Sequence, residues 1–196
     1  MQSPNQTNDS KPALLSAVGM AVAAGVIRLL PHLPNFTPVG ALGLFAGGRL
    51  RLWQGLAVSF LVMAASDLLG PIYGYKPFNP FVYTCFFVNV LLGRLFLQKG
   101  GLWRVPVVSL FASLLFFVVT NFGVWAGSDG SLYPKTIAGL SACYVAALPF
   151  TGNWTTDGTK FFFGTVAGDL TYSVLFFGLF AVILHVLQRR KAREFF

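Results

Sequence analysis

Residues 105–124 run without a single charged side chain, the length an α-helix needs to cross the roughly 30 Å of hydrocarbon in a bilayer. Such runs recur along the chain. Residues 13–30, 55–69, 81–97 and 161–187 are also apolar and near or beyond spanning length, the last long enough to cross with tilt. Two shorter apolar stretches complete the set: residues 37–48, rich in glycine, and residues 136–150, which end at Pro149 and Phe150. The pattern predicts an all-α membrane protein.

Composition excludes the soluble alternatives. Only 10% of the 196 residues are charged, against about a quarter in a typical soluble domain, while 55% are apolar and 16% aromatic. A surface facing water cannot be covered with so few charges. The same figures exclude a disordered chain, and two cysteines exclude a disulfide scaffold. The net charge of +8 does not point to nucleic acid, because Lys and Arg sit at the ends of apolar runs and not along a polar helix face. A secretory leader is disfavoured by the lack of a basic segment ahead of residue 13.

The basic residues orient the spans. Taking 37–48 as a short crossing shielded by its neighbours, and 136–150 as a non-spanning lid or re-entrant piece, gives six transmembrane helices with both termini cytoplasmic. Lys11, Arg49, Arg51, Arg94, Lys99, Arg104, Arg189, Arg190, Lys191 and Arg193 then face the cytoplasm, and Lys76, Lys135 and Lys160 face outward, with Arg28 near the outer end of the first helix. Ten against three satisfies the positive-inside rule of a bacterial inner membrane. The chain divides into a polar tail (1–12), one transmembrane domain (13–188) and a basic cytoplasmic tail (189–196).

This topology collects most of the polar side chains at the outer boundary. His32 and Asn35 follow the first span, Asp67 ends the third, Tyr83 and Cys85 open the fourth, Asn121 and Trp125 end the fifth, and Asp169 lies in the outer third of the last. Tyr133 and Trp154 occupy the outer connections. An outward-facing cavity roofed by those connections would gather them. A carboxylate in a membrane span normally faces a partner or a wet cavity, so Asp67 is expected either on Arg28 or on a ligand. Trp125, Tyr133 and Trp154 are suited to stacking on a flat ligand or to an interfacial aromatic belt. No GxxxxGK[ST] loop is present, so the chain does not itself power transport with ATP. No CxxC or HxxxH pattern offers a protein-only metal site.

The strings PHLPNFTPVGALGLFAGG, SDLL, SLLFFVVTNFGVW, YPKTIAGLSACYVAALPF and GDLTYSVLFFG resemble, in this order, a family of small bacterial membrane transport proteins. That family is similar to the substrate-binding S components of energy-coupling-factor vitamin transporters. The resemblance implies an outward vitamin pocket and helical packing against a membrane partner, an ATPase module's coupling subunit, for which Ala17, Ala21 and Gly25 form a small-residue stripe. Where the family carries Tyr-Leu-Ser-Phe, this chain reads Tyr83-Thr84-Cys85-Phe86, as in solitary S components that take up cobalamin. The resemblance therefore implies that Cys85 ligates cobalt, that His32, Asp67 and Tyr83 line the pocket, and that decyanation of cyanocobalamin accompanies uptake.

Thiolate is a soft donor suited to a late transition metal, and the corrin supplies the equatorial nitrogens itself. Two other readings stay open. In one the scaffold carries a different vitamin-like substrate, with Cys85 as a small packing residue, since free cysteine is among the most buried residue types. Alternatively, Cys85 serves as an intramembrane thiol nucleophile with His32 as its base, which requires the two within hydrogen-bonding reach. Cys143 is read as structural, with a disulfide to Cys85 left open.

Overall fold

The computed structural model describes residues 10–30, 35–69, 78–99, 101–147 and 164–194. Every regular element among them is helical: α1 (Ser10–Leu29), α2 (Val39–Arg49), α3 (Leu52–Leu69), α4 (Pro80–Leu92), α5 (Arg104–Gly127), α6 (Ile137–Ala147) and α7 (Gly164–Glu194), with a π-helical turn, Gly93–Leu97, continuing α4. Each apolar run of the sequence has become one helix. Residues 1–9, 31–34, 70–77, 100, 148–163 and 195–196 lie outside the described residues.

Four helical stretches are long and apolar enough to cross a membrane: Leu52–Leu69, Pro80–Leu97, Arg104–Gly127 and Gly164–Arg189. Between 22% and 44% of the residues in each are buried inside the bundle, so most of their apolar side chains need another solvent. Leu61, Leu68, Leu95, Val107, Leu114 and Val182 are all exposed on the outside. Lipid is the environment in which such a surface is stable, and the chain is accordingly a helical membrane protein.

The second helix inverts this pattern. Val39 to Gly48 of α2 are buried without exception, and the helix packs against α1, α3, α4, α5 and α7. At ~1.5 Å per residue it is about half the thickness of the hydrocarbon core, and it is stable at that depth because other helices surround it. Its glycines make this possible. A methyl group on Gly47 would overlap the Val90 carbonyl of α4, one on Gly93 would overlap the Leu44 carbonyl of α2, and one on Gly40 would overlap the Asp169 carboxyl of α7. Side chains fill the other faces, with Phe45 meeting Phe176, Phe177 and Phe180 edge to face.

Contacts between named residues fix the helix directions. Arg28 near the end of α1 meets Asp67 near the end of α3, so these run parallel. Ser113 meets Asp169 and Ser109 meets Ser173, so α5 and α7 run antiparallel. One end of the bundle therefore gathers the last turns of α1, α3 and α5 and the first turns of α4 and α7. The opposite end carries Arg49, Arg51, Arg94, Lys99 and Arg104. At this basic end Arg49 is half-buried, donating to the carbonyls of Gly48, Leu97 and Gln98, with its guanidinium over the rings of Phe177 and Phe180 at 5.1 and 5.7 Å. It caps the carbonyls left by the π-helical turn, and aromatic faces carry its charge.

Candidate functional site

Two polar groups interrupt the apolar bundle. The first lies at the polar end around Asp67. Arg28 Nη2 donates to Asp67 Oδ1 at 3.2 Å, while Tyr83 Oη and the Phe78 backbone N–H donate to Oδ2 at 2.9 and 3.2 Å. The partner expected from the sequence, Arg28, is present, with side-chain exposures of 26% for Arg28 and 13% for Asp67. Arg28 also reaches the Met63 sulfur at 3.4 Å. Asp67 thereby ties α1, α3 and the start of α4 together. The start of α4 is capped by Asn79, whose side chain accepts from Phe81 and Val82 N–H groups, with Pro80 in the first turn. Phe78, one residue earlier, holds a left-handed φ of 53° that a phenylalanine rarely adopts, with its ring 5.1 Å from that of Tyr83.

The second group lies deep among α2, α4, α5 and α7. Asp169, Ser113, Ser109, Ser173 and Asn89 are all buried. Ser113 Oγ stands 2.7 Å from Asp169 Oδ2 and 3.1 Å from the Ser109 carbonyl; Ser173 Oγ stands 3.3 Å from Ser109 Oγ. Across the bundle Asn89 Nδ2 points to the Gly40 carbonyl at 3.5 Å, and Gly40 leaves the space in which the Asp169 carboxyl rests. The first group is a satisfied ion pair. The second holds a carboxyl at the centre of the bundle.

Cys85 is carried by α4, the helix that also supplies Asn89. It is 2% exposed, its thiol is free, and it lies one helical turn before Asn89, so the two share a face of α4. Cys143 on α6 is also free and buried; its sulfur donates to the Asn121 carbonyl at 3.5 Å, so the two cysteines form no disulfide.

The remaining expected site residues separate. Asn121 turns back on its own helix, donating to the Phe117 carbonyl at 2.8 Å. Trp125 donates from its ring nitrogen to the Pro134 carbonyl at 2.9 Å and stacks under Lys135, which also donates to the Trp125 and Ala126 carbonyls. Trp125 thus fastens the α5–α6 connection. Beside it, the Ser131 hydroxyl and N–H donate to Asp129 and hold its carboxyl below the usual carboxylate range. Tyr133 is partly exposed in that connection, and Asn35 is exposed at a left-handed φ of 58° before α2. His32 and Trp154 lie outside the described residues, and with His32 the expected thiol–imidazole pair. Of the small-residue stripe on α1, Ala21 packs against the core, whereas a methyl on Gly25 would meet nothing within 4 Å.

Residues 8–193 match the family of unknown function DUF6580. The chain belongs to that family. No curated protein and no solved structure matches it. In this DUF6580 chain the residues that sequence reasoning missed are Asn89, Ser109, Ser113 and Ser173. Their signal was spacing: Ser109 and Ser113, like Asp169 and Ser173, stand four apart within apolar runs, which puts each pair on one helix face.

Proposed function

We propose that the chain is an inner-membrane transport protein of the S-component type that binds a vitamin-class solute from its polar end, with cobalamin the first candidate. The observation that carries this reading is the buried polar group of Asp169, Ser113, Ser109, Ser173 and Asn89 among apolar helices, with Cys85 buried one turn before Asn89 on α4. Intramembrane polar and ionisable groups are retained where a solute or ion must be met. In this reading α1, α2, α3, α4, α5 and α7 form the six-helix unit, with α2 reaching only part of the depth and α6 serving as the lid. The positive-inside rule then places the basic end, and both termini, in the cytoplasm. Of the stripe Ala17, Ala21 and Gly25 on α1, Gly25 would offer the approach for an energy-coupling module, since Ala21 packs against the core.

Within this reading Cys85 supplies the sulfur ligand to the cobalt of the cargo, and α4 must shift against its neighbours for a corrin to reach it. The burial of Cys85 favours a second version, in which the same scaffold carries a smaller vitamin-like solute and Cys85 is packing. One comparison separates them. Protein purified from cells grown with cobalamin is expected to carry a corrinoid whose visible spectrum shows sulfur ligation, and Cys85→Ala is expected to lose or shift that spectrum. A colourless wild-type protein that still binds another vitamin would support the second version, and a corrinoid spectrum unchanged in Cys85→Ala would remove the sulfur ligand.

A further inference from the structure

Ser113 makes two short contacts with one proton to give. Its hydroxyl lies 2.7 Å from Asp169 Oδ2 and 3.1 Å from the carbonyl of Ser109, one turn earlier on its own helix. Both are hydrogen-bond distances, and neither a carboxylate nor a carbonyl oxygen can donate. With Asp169 ionised, Ser113 can serve only one of the two. With a proton on Oδ2, Asp169 donates to Ser113 and Ser113 donates to Ser109, and both contacts are satisfied. The second arrangement matches two other hydroxyls of the chain: Thr84 donates to the Pro80 carbonyl and Thr120 to the Phe116 carbonyl, each four residues back, at 2.8 and 2.7 Å.

The surroundings lead to the same place. Asp169 is 6% exposed, and the ion pair found among the described residues, Arg28–Asp67, is in the other polar group. Among the described residues the groups around it are uncharged, Gly40 on α2, Ser109 and Ser113 on α5 and Ser173 on its own helix, while Arg28 of α1, which also packs on α7, is held by Asp67. The backbone of Phe36 and Thr37 covers the neighbouring Gly168, and the titratable Tyr172 packs its ring on Phe36 and Phe176. Among the described residues an ionised carboxyl here would lack a counter-charge, whereas a neutral one is accommodated by the Ser113 contact. Gly40 adds a built feature, because any side chain at that position would displace the carboxyl.

We propose that Asp169 is an exchangeable proton-binding site inside the bundle, its protonated carboxyl donating to Ser113, which donates in turn to the Ser109 carbonyl. The ligand is a proton, and the site goes beyond the solute reading and stands independently of which solute is carried. A membrane protein without a nucleotide-binding loop would thereby hold a group able to couple its motions to a proton gradient.

Infrared difference spectroscopy of the full chain in lipid nanodiscs tests this. A protonated-carboxyl C=O band is expected at neutral pH, shifting in deuterium oxide, fading reversibly at alkaline pH, absent in Asp169→Asn and retained in Asp67→Asn. Ser113→Ala should keep the band but move it to higher frequency, since the carboxyl loses its acceptor; this variant carries the test if Asp169→Asn does not fold. The proposal is overturned by a wild-type protein with no such band at neutral pH, by a band insensitive to pH while the protein stays folded, or by a band unaffected by both substitutions at 169 and 113.

Discussion

Gly47→Ala is expected to destabilise the bundle by about 3 kcal/mol, the upper end of the usual cost of overpacking, and Gly47→Val to prevent its assembly. A methyl at this position overlaps the Val90 carbonyl, which is helix backbone and cannot rotate away as a side-chain tip could. Relief requires α2 and α4 to separate, and α2 is enclosed on its other faces by α1, α3 and α7. Gly93→Ala is expected to act alike, since its methyl would meet the Leu44 carbonyl from the opposite side of the same interface. The control is Gly178→Ala in α7, where a methyl meets nothing within 4 Å and the gain in helix propensity is about 0.5–1 kcal/mol. Thermal unfolding in detergent, read with the monodisperse fraction on gel filtration, measures all three. A Gly47→Ala protein that melts with the wild type would show that α2 is not clamped between its neighbours.

Asp67→Ala should cost about 2 kcal/mol, below the cost of breaking a fully buried ion pair because this one is part-exposed, since it leaves Arg28 with its charge and without its carboxylate. The same substitution strands the Tyr83 hydroxyl and the Phe78 N–H, both of which donate to Asp67. Tyr83→Phe removes one of these bonds and should cost about 1–1.5 kcal/mol. Replacing the pair together, Arg28→Met with Asp67→Leu, is expected to recover most of the loss, since no uncompensated charge then remains. Chemical unfolding of the three variants forms the check. A double variant as unstable as Asp67→Ala would mean that Asp67 acts through something other than Arg28.

Much of this architecture was legible in the sequence, because uninterrupted apolar runs of spanning length have few alternatives to a helix in lipid. The Arg28–Asp67 pair was legible for a related reason: both residues close parallel runs, and a charge at a span's end seeks its opposite. The place of α2 was harder to read. Its composition resembles a short crossing, and only the close approach of Gly40, Gly47 and Gly93 to neighbouring backbone and carboxyl groups shows why it must lie inside. The group around Asp169 was half legible. The carboxyl was evident, but serines in apolar runs ordinarily bond their own helix, and only the tertiary arrangement shows that Ser113 also meets α7. For Asn121 and Trp125 the sequence could not show the partners that the fold provides, the Phe117 carbonyl of the same helix and the Pro134 carbonyl of the adjacent connection.

The central claim is that this bundle carries a vitamin-class solute across the membrane, and counterflow into proteoliposomes tests it most directly. Vesicles holding the purified chain and loaded with unlabelled cobalamin should take up labelled cobalamin in a saturable manner, faster than empty vesicles, and Cys85→Ala should slow that entry. Uptake no faster than in empty vesicles, for cobalamin and for a panel of other water-soluble vitamins alike, would contradict it.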